Sequence, residues 1–424
     1  MTAARFLYTL LLFAALPFIA LRLAWRALRQ PAYLHHVGER FGWYDVAPKQ
    51  RVIWVHAVSV GETRAAQPLV EALLARYAGA QVLITYMTPT GRETGENLFG
   101  DRVLHAYLPY DYPTTVARFL DHFRPRLGII METEIWFNLL AGCAARHIPV
   151  LLVNGRLSEK SAAGYLRIAG LARSALQSLA AVTAQSESDA ERFRLLGAKR
   201  VLLCGNLKFD ITPDPALVAQ GRAWRAALPE FRQVLAVTNT REGEEALVLD
   251  AFRAVPEKRR AQVLMVVVPR HPQRFNDVAA LILTSGLKLA RRSLNQSPSA
   301  DTQVWLGDSM GEMAAYYAMC DVALVGGSLL PFGAHNLIEA CAQGKPVLIG
   351  PHTFNFAEAT EFAIAREAAV RVADATLAMK SALELLDDAA ALRRRSEAAS
   401  RFAAEHRGAT EKTMALIAPL LDAK

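Results

Sequence analysis

Residues 51–77 read RVIWVHAVSVGETRAAQPLVEALLARY. Val52–His56 is a short apolar, β-branched run, and from Ala65 to Tyr77 the apolar residues recur at helical spacing. A buried strand, a turn of small residues and an amphipathic helix is the simplest reading. The same unit recurs outward from it. Val82–Tyr86, Leu127–Met131, Val150–Val153 and Ala181–Ala184 read as strands, with helices such as Tyr112–His122 between them. Continuous apolar strands alternating with helices predict a parallel sheet covered on both faces. Two prolines in DITPDP (residues 210–215) interrupt the pattern and mark a linker. A second series follows: Val234–Val237, Val263–Val268, Gln303–Trp305, Val322–Val325 and Val347–Ile349, with a helical tail from about Phe356. The fold class is α/β, with two doubly wound, Rossmann-like domains expected at 31–210 and 211–424.

A chain of 424 residues has room for two such domains, and 52% hydrophobic with 21% charged residues describes a folded protein. The formal net charge is +8, but residues 1–30 hold Arg5, Arg22, Arg26 and Arg29 and no acid, so half the excess sits there. The remainder is nearly balanced, which argues against a nucleic-acid partner. Cys143, Cys204, Cys320 and Cys341 are widely spaced, without the pairing of a disulfide framework or zinc ribbon. They read as small buried hydrophobes of an intracellular enzyme.

Phe6–Leu21 is uncharged and is followed by Arg22, Arg26 and Arg29. Sixteen residues fall short of the ~20 that span a bilayer comfortably. A cleavable signal peptide would start basic and end in small residues, whereas this run ends in an Arg-rich helix. The preferred reading is an uncleaved membrane anchor over residues 1–30, with the body on the cytoplasmic face.

In doubly wound sheets ligands meet the carboxyl ends of the strands, and unusual residues stand there. HAVSVGET (56–63) passes from the first strand into its helix, with Gly61 permitting close backbone approach and Glu62 at the helix start. Glu62 is either a dipole-complementing cap or a working acid. METEIW (131–136) places Glu132 and Glu134 directly after another strand, where two carboxylates repel unless paired, protonated or working. MTPTG (87–91) suits a polar ligand. Lys208 lies in NLKFD (206–210), Arg270 in PRHP (269–272), and Gly326-Gly327-Ser328 forms an anion cradle after a strand. Glu339 is a candidate acceptor for ribose hydroxyls. Neither Walker A nor GxGxxG occurs, nor Asp-x-Asp, so no metal and no cofactor is expected, and Lys208, Arg270 and backbone N–H groups carry the anion neutralisation.

HAVSVGE, MTPTG, LPYD, METEIW, NLKFD, EGEE, PRHP, GDSMGE, VGGS, HNLIEA and GPHTFNF, in this order, resemble the 3-deoxy-D-manno-octulosonic acid (Kdo) transferases of lipopolysaccharide biosynthesis. The resemblance runs from the N-terminal anchor to about residue 360. It implies a GT-B glycosyltransferase fold at the inner membrane, with CMP-Kdo as donor and the lipid A precursor lipid IVA as acceptor. It assigns Glu62 as general base, and Glu132 and Lys208 to transition-state stabilisation. Pro269, Arg270, Met310, Gly311, Glu312, Asn336, Leu337, Ile338 and Glu339 fall in CMP-binding segments, making 31–210 the acceptor domain and 211–424 the CMP-sugar domain. This chain departs from the family at Arg241, where His is usual, and at Ala334, Leu337 and Ile338, where Gly, Pro and Leu are usual.

On this reading an acceptor hydroxyl attacks the anomeric carbon with inversion, and Glu62 takes its proton. Lys208 and Arg270 offset charge on the departing phosphate, and Arg92 is a candidate for the Kdo carboxylate. The alternatives are a GT-B transferase using another nucleotide sugar, or a non-catalytic nucleotide-sugar-binding membrane protein regulating lipid A assembly.

Overall fold

A computed structural model describes residues 2–422. The chain divides into two compact units, one running to Ile211 and resuming at Arg407, the other spanning Thr212–His406.

In the first unit the strands are β1 (Arg51–His56), β2 (Ala80–Tyr86), β3 (Leu104–Tyr107), β4 (Leu127–Met131), β5 (Val150–Gly155), β6 (Ala181–Ala184) and β7 (Val201–Leu203). They form one parallel sheet in the order β3-β2-β1-β4-β5-β6-β7. Side chains alternate between two cores: Val52 and Trp54 point to one face of the sheet, Ile53 and Val55 to the other. Both faces are sealed, which is why these strands lack polar alternation. Each fully buried aliphatic contributes about 1.5–3 kcal/mol.

The second unit repeats the design with β8 (Gln233–Thr240), β9 (Val263–Pro269), β10 (Leu289–Arg291), β11 (Val304–Leu306), β12 (Val322–Val325), β13 (Val347–Ile349) and β14 (Ala369–Arg371). Its parallel order is β10-β11-β9-β8-β12-β13-β14. All strands run parallel, and the order in which the chain winds across the sheet reverses at β1/β4 in the first sheet and at β8/β12 in the second. The residues following those four strands therefore mark the ligand positions of this fold class.

Two sequence expectations need correction. The second domain, expected to run to residue 424, ends at His406. The helix Ala409–Asp422 belongs to the first unit, where Met414, Ile417 and Leu421 enter the same core as Leu69 and Leu73. Asp210 sets its start: one carboxylate oxygen accepts from Gly408 N–H (2.7 Å) and the other from Thr410 N–H (2.6 Å). Asp210→Ala should cost about 1–2 kcal/mol. Hydrogen exchange confined to Ala409–Asp422 would report it, and unchanged protection there would refute it. Likewise, residues 1–30 do not stand apart. The helix Ala3–Arg29 groups with the first unit, and Tyr8 donates to the buried Asp111 (2.9 Å).

Candidate active site

Ser59 caps the helix Val60–Arg76, accepting weakly from Glu62 N–H (3.4 Å), and Glu62 stands three residues later at capping-box spacing. The Glu62 carboxylate accepts from Val58 N–H (2.9 Å) and from the Ser59 hydroxyl (3.0 Å). Its orientation is thus fixed by the strand-to-helix turn itself. The cap is one role; the environment supplies another. Glu62 is only 8% exposed, and burial first, then the charge of Glu132, push its carboxyl up to about 7, against the lowering bond from Val58. A carboxylate that titrates near neutrality is tuned for proton transfer. His56, at the end of β1, is not: burial lowers it to about 4, and Nδ1 bonds the Thr85 hydroxyl (2.9 Å).

Glu132 follows β4, the neighbour of β1, and adopts φ of +55°, a left-handed conformation that is unusual for a side chain of this size. Its N–H donates to Val153 O (2.9 Å), and its carboxylate faces Lys208 Nζ at 4.0 Å. Backbone strain of this kind concentrates at functional sites. Lys208 is placed by a 3-10 turn, Leu207–Asp210, in which Asn206 accepts from Lys208 N–H (3.0 Å). Glu134 is also raised, by burial first and by the charge of Glu132. The first unit therefore brings Glu62, Glu132 and Lys208 to one place.

MTPTG serves the site as a brace. Thr88 caps the helix Pro89–Phe99 and donates to Val58 O (3.2 Å), while a Cβ on Gly91 would meet Val58 O at 3.0 Å. Arg92 is engaged elsewhere than expected, pairing with Glu39 (2.8 Å) and Glu96 (2.9 Å). Those two carboxylates satisfy the cation expected to meet a substrate carboxylate.

In the second unit, β8 leads to Arg241 and β12 to Gly326-Gly327-Ser328. A Cβ on Gly326 would strike Asn239 O at 2.7 Å, so only glycine lets the loop approach β8. Glu244, almost wholly buried, accepts from three backbone amides: Arg241 (2.9 Å), Gly327 (2.6 Å) and Leu329 (2.9 Å). Beside this loop lie Arg241, Arg270, His271 and His335. Burial, reinforced by Arg270, Arg241 and His271, lowers His335 to about 4, and burial with the same arginines lowers His271. Burial first, and then the neighbouring arginines, hold both imidazoles below their ordinary values beside this loop. Pro269 closes β9 immediately before Arg270.

Asn336 accepts from Ile338 N–H (3.1 Å) and donates to Glu339 (3.1 Å), fixing the turn that also carries Leu337. Met310 is exposed and Gly311 is left-handed (φ +84°). Burial alone would raise Glu312, but the Ser309 hydroxyl (2.5 Å) and Arg292 (2.7 Å) bring it below its ordinary value. Met310–Glu312 thus follows β11, while Asn336–Glu339 precedes β13.

Comparison with known proteins decides the family. A family profile described as 3-deoxy-D-manno-octulosonic-acid transferase (kdotransferase) matches residues 35–211. The 3-deoxy-D-manno-octulosonic acid transferase of Bordetella pertussis is 45% identical over 97% of this chain and 98% of its own length. The chain belongs to the Kdo transferase family. The Haemophilus influenzae member is 36% identical, with 99% of both chains covered. Among solved structures, a glycosyltransferase from Rickettsia africae superposes with a TM-score of 0.57 over 88% of this chain and 99% of that one, at 14% identity. That likeness concerns the GT-B fold.

Within this Kdo transferase framework, sequence reasoning missed two residues. Glu244 was quoted only as part of EGEE. Its paired acid, Glu245, binds Arg274 (2.6 Å) and the Thr240 hydroxyl (2.7 Å), so the doublet braces two loops. His335 packs against Gly327, where a Cβ would meet its ring at 3.0 Å. The signal for Glu244 was its position four residues after β8, whereas His335, ten residues after β12, is brought to Gly327 only by the fold. Arg241, the departure from the family pattern, lies over the Phe332 ring (4.7 Å).

Proposed function

We propose that this protein is an inverting, metal-independent glycosyltransferase. It moves Kdo from CMP-Kdo to lipid IVA in lipopolysaccharide biosynthesis, at the cytoplasmic face of the inner membrane. The observation that carries the reading is the Glu62 carboxyl, oriented by Val58 and Ser59 and raised to about 7.

An acceptor sugar hydroxyl attacks the anomeric carbon of Kdo. The new carbon–oxygen bond forms as the bond to the CMP phosphate breaks, and the hydroxyl proton passes to Glu62. Lys208 and Arg270 offset the negative charge that develops on the departing phosphate. Glu132 holds Lys208 and raises Glu62, linking the two roles. Pro269, Arg270, Met310–Glu312 and Asn336–Glu339 hold CMP. Incubation with CMP-Kdo and lipid IVA, followed by mass spectrometry, should yield lipid IVA heavier by one or more Kdo residues. Unmodified lipid IVA alongside transfer to a different acceptor, or no transfer at all, would overturn the reading.

Gly61 gives an independent check. A Cβ there would have no neighbour closer than Ser59 Oγ at 3.8 Å, so the fold has room for alanine. Alanine in the first helical turn should leave the melting temperature unchanged or higher. If the space is reserved for the acceptor, Gly61→Ala slows transfer at least about tenfold, because small displacements of a reacting group are costly. Wild-type turnover by Gly61→Ala would show that the space is not used.

A further inference from the structure

The helix Ala3–Arg29 has 27 residues, about 40 Å at 1.5 Å per residue, enough to cross the ~30 Å hydrocarbon core. Length therefore permits either a spanning or a lying helix. The bonds to the body distinguish them. Near its start, Tyr8 donates to Asp111 (2.9 Å), Asn138 donates to Thr9 (3.1 Å), and the Tyr112 hydroxyl donates to Leu12 O (2.8 Å). Tyr8 also packs edge-on against Phe137 (5.0 Å), and Phe13 lies against Tyr112 (4.9 Å). Near its end, Ala27 is buried, and Arg22 and Arg26 lie close enough to bear electrostatically on Tyr110. The first half of the helix is thus bonded to the first unit, and near its end Arg26 donates to the Tyr33 hydroxyl (3.4 Å) of the following turn.

A stripe through Tyr8, Leu12, Ala15, Ile19, Leu23 and Ala27, at spacings of three and four, is partly or wholly shielded, with Thr9 buried beside it. The opposite stripe, Leu7, Leu11, Phe18, Leu21, Trp25 and Leu28, is exposed, up to 84% at Leu28. A helix that crossed the bilayer would have to withdraw Tyr8 and Thr9 from Asp111 and Asn138. Asp111 also accepts from Asn138 N–H (3.0 Å) and Leu139 N–H (2.8 Å), so that network is an integral part of the unit's core. Abandoning buried polar partners is costly, because the carboxylate and amide left behind stay desolvated without a replacement bond.

The occupant of the exposed stripe follows from its chemistry. Residues 1–30 carry four arginines and no acid. Arg29 stacks on the exposed Trp25 (4.3 Å), and Arg118 on the exposed Trp43 (4.2 Å). Apolar side chains ending in an arginine–tryptophan pair on the same helix match acyl chains beneath anionic headgroups. We propose that the N-terminal helix lies in the plane of an anionic lipid surface, clasped to the first unit by Tyr8–Asp111 and Thr9–Asn138, and does not cross the bilayer. This deepens the membrane part of the proposed function and leaves the sugar-transfer part untouched.

Ala4→Cys and Gln30→Cys, made separately in the full chain, test it, because all four native cysteines are buried. With a membrane-impermeant maleimide, both variants should react in inverted inner-membrane vesicles and neither in intact spheroplasts. Reaction of Ala4→Cys in spheroplasts, its silence in inverted vesicles where Gln30→Cys reacts, or recovery of the protein in the soluble fraction would overturn the proposal. As a second measurement, the purified protein should sediment with phosphatidylethanolamine/phosphatidylglycerol vesicles. The doubly substituted Phe18→Asp, Leu21→Asp chain should bind at least about tenfold more weakly, since both side chains enter lipid. Unchanged binding would refute the assignment of that face. Neither readout involves sugar transfer, so failure here and failure of the Kdo reading are distinguishable.

Discussion

Glu62→Gln is expected to transfer Kdo about 10²–10⁴-fold more slowly than wild type and yet unfold at a higher temperature at neutral pH. The two effects have one cause. Burial and the Glu132 charge raise the Glu62 carboxyl from 4.5 to about 7, so the folded protein holds the ionised form at a cost. The sign is that of a carboxyl raised by folding: between pH 4.5 and 7 the native state binds more protons than the unfolded chain, and stability falls as pH rises through that window. Above pH 7 the cost is fully present, on the order of 1–3 kcal/mol. Glutamine removes the charge while its amide keeps both capping contacts, accepting from Val58 N–H and donating to Ser59. An acid that served only as a helix cap would give the opposite result, a variant that turns over normally and is no more stable. The wild-type rate should climb tenfold per pH unit below about 7 and flatten above it, because a general base acts only when ionised. Initial rates from pH 5.5 to 9, with melting temperatures across the same range, decide the matter. Normal transfer by Glu62→Gln would remove Glu62 from the mechanism.

The sheet interiors were legible in the sequence, and the sheet edges were not. All ten strands expected from apolar runs occur, although their ends shift by a few residues. The four missed, β3, β7, β10 and β14, are the edge strands of the two sheets. An edge strand has one partner and less burial, so it needs no continuous apolar run. Leu104–Tyr107 includes His105, and Leu289–Arg291 ends on a cation. The tail helix escaped for a different reason. Its amphipathic pattern announces a helix, but nothing local states that its partners are Leu69 and Leu73, some 340 residues earlier. At the site, Glu62 and Glu132 stand out in the sequence because each directly follows an expected strand, whereas Lys208 follows the missed β7 and stands out only through NLKFD. The left-handed backbone of Glu132 was not, since no glycine or asparagine signals it.

Glu244→Ala is expected to open the Gly-rich loop and to weaken CMP binding by at least about tenfold, with loss of roughly 3–5 kcal/mol from the second unit. The reason is the number of donors that depend on one carboxylate. Glu244 is 1% exposed, and Arg241, Gly327 and Leu329 each direct a backbone N–H at it. Alanine leaves three buried donors without a partner, and each such donor costs about 1–3 kcal/mol unless water enters. Water can enter only by lifting residues 326–329 away from β8. Gly326 already lies so close to β8 that no Cβ fits, so movement outward is the available response. That movement shifts the loop, whose Gly326 N–H donates to Thr238 O and whose Gly327 and Leu329 N–H groups donate to Glu244, away from the His335 ring packed on Gly327, while Arg270 stays in place on its own element. Affinity should therefore fall without vanishing. Glu244→Gln keeps one acceptor oxygen and should fall between the two, whereas Glu242→Ala, at an exposed neighbour, should be silent to within about 0.5 kcal/mol. Calorimetric titration with CMP, paired with hydrogen exchange at residues 326–329, separates a loosened loop from an unfolded domain. Wild-type CMP affinity and unchanged protection in Glu244→Ala would show that the loop holds its shape without the carboxylate, and that the second unit's anion site rests on its cations alone.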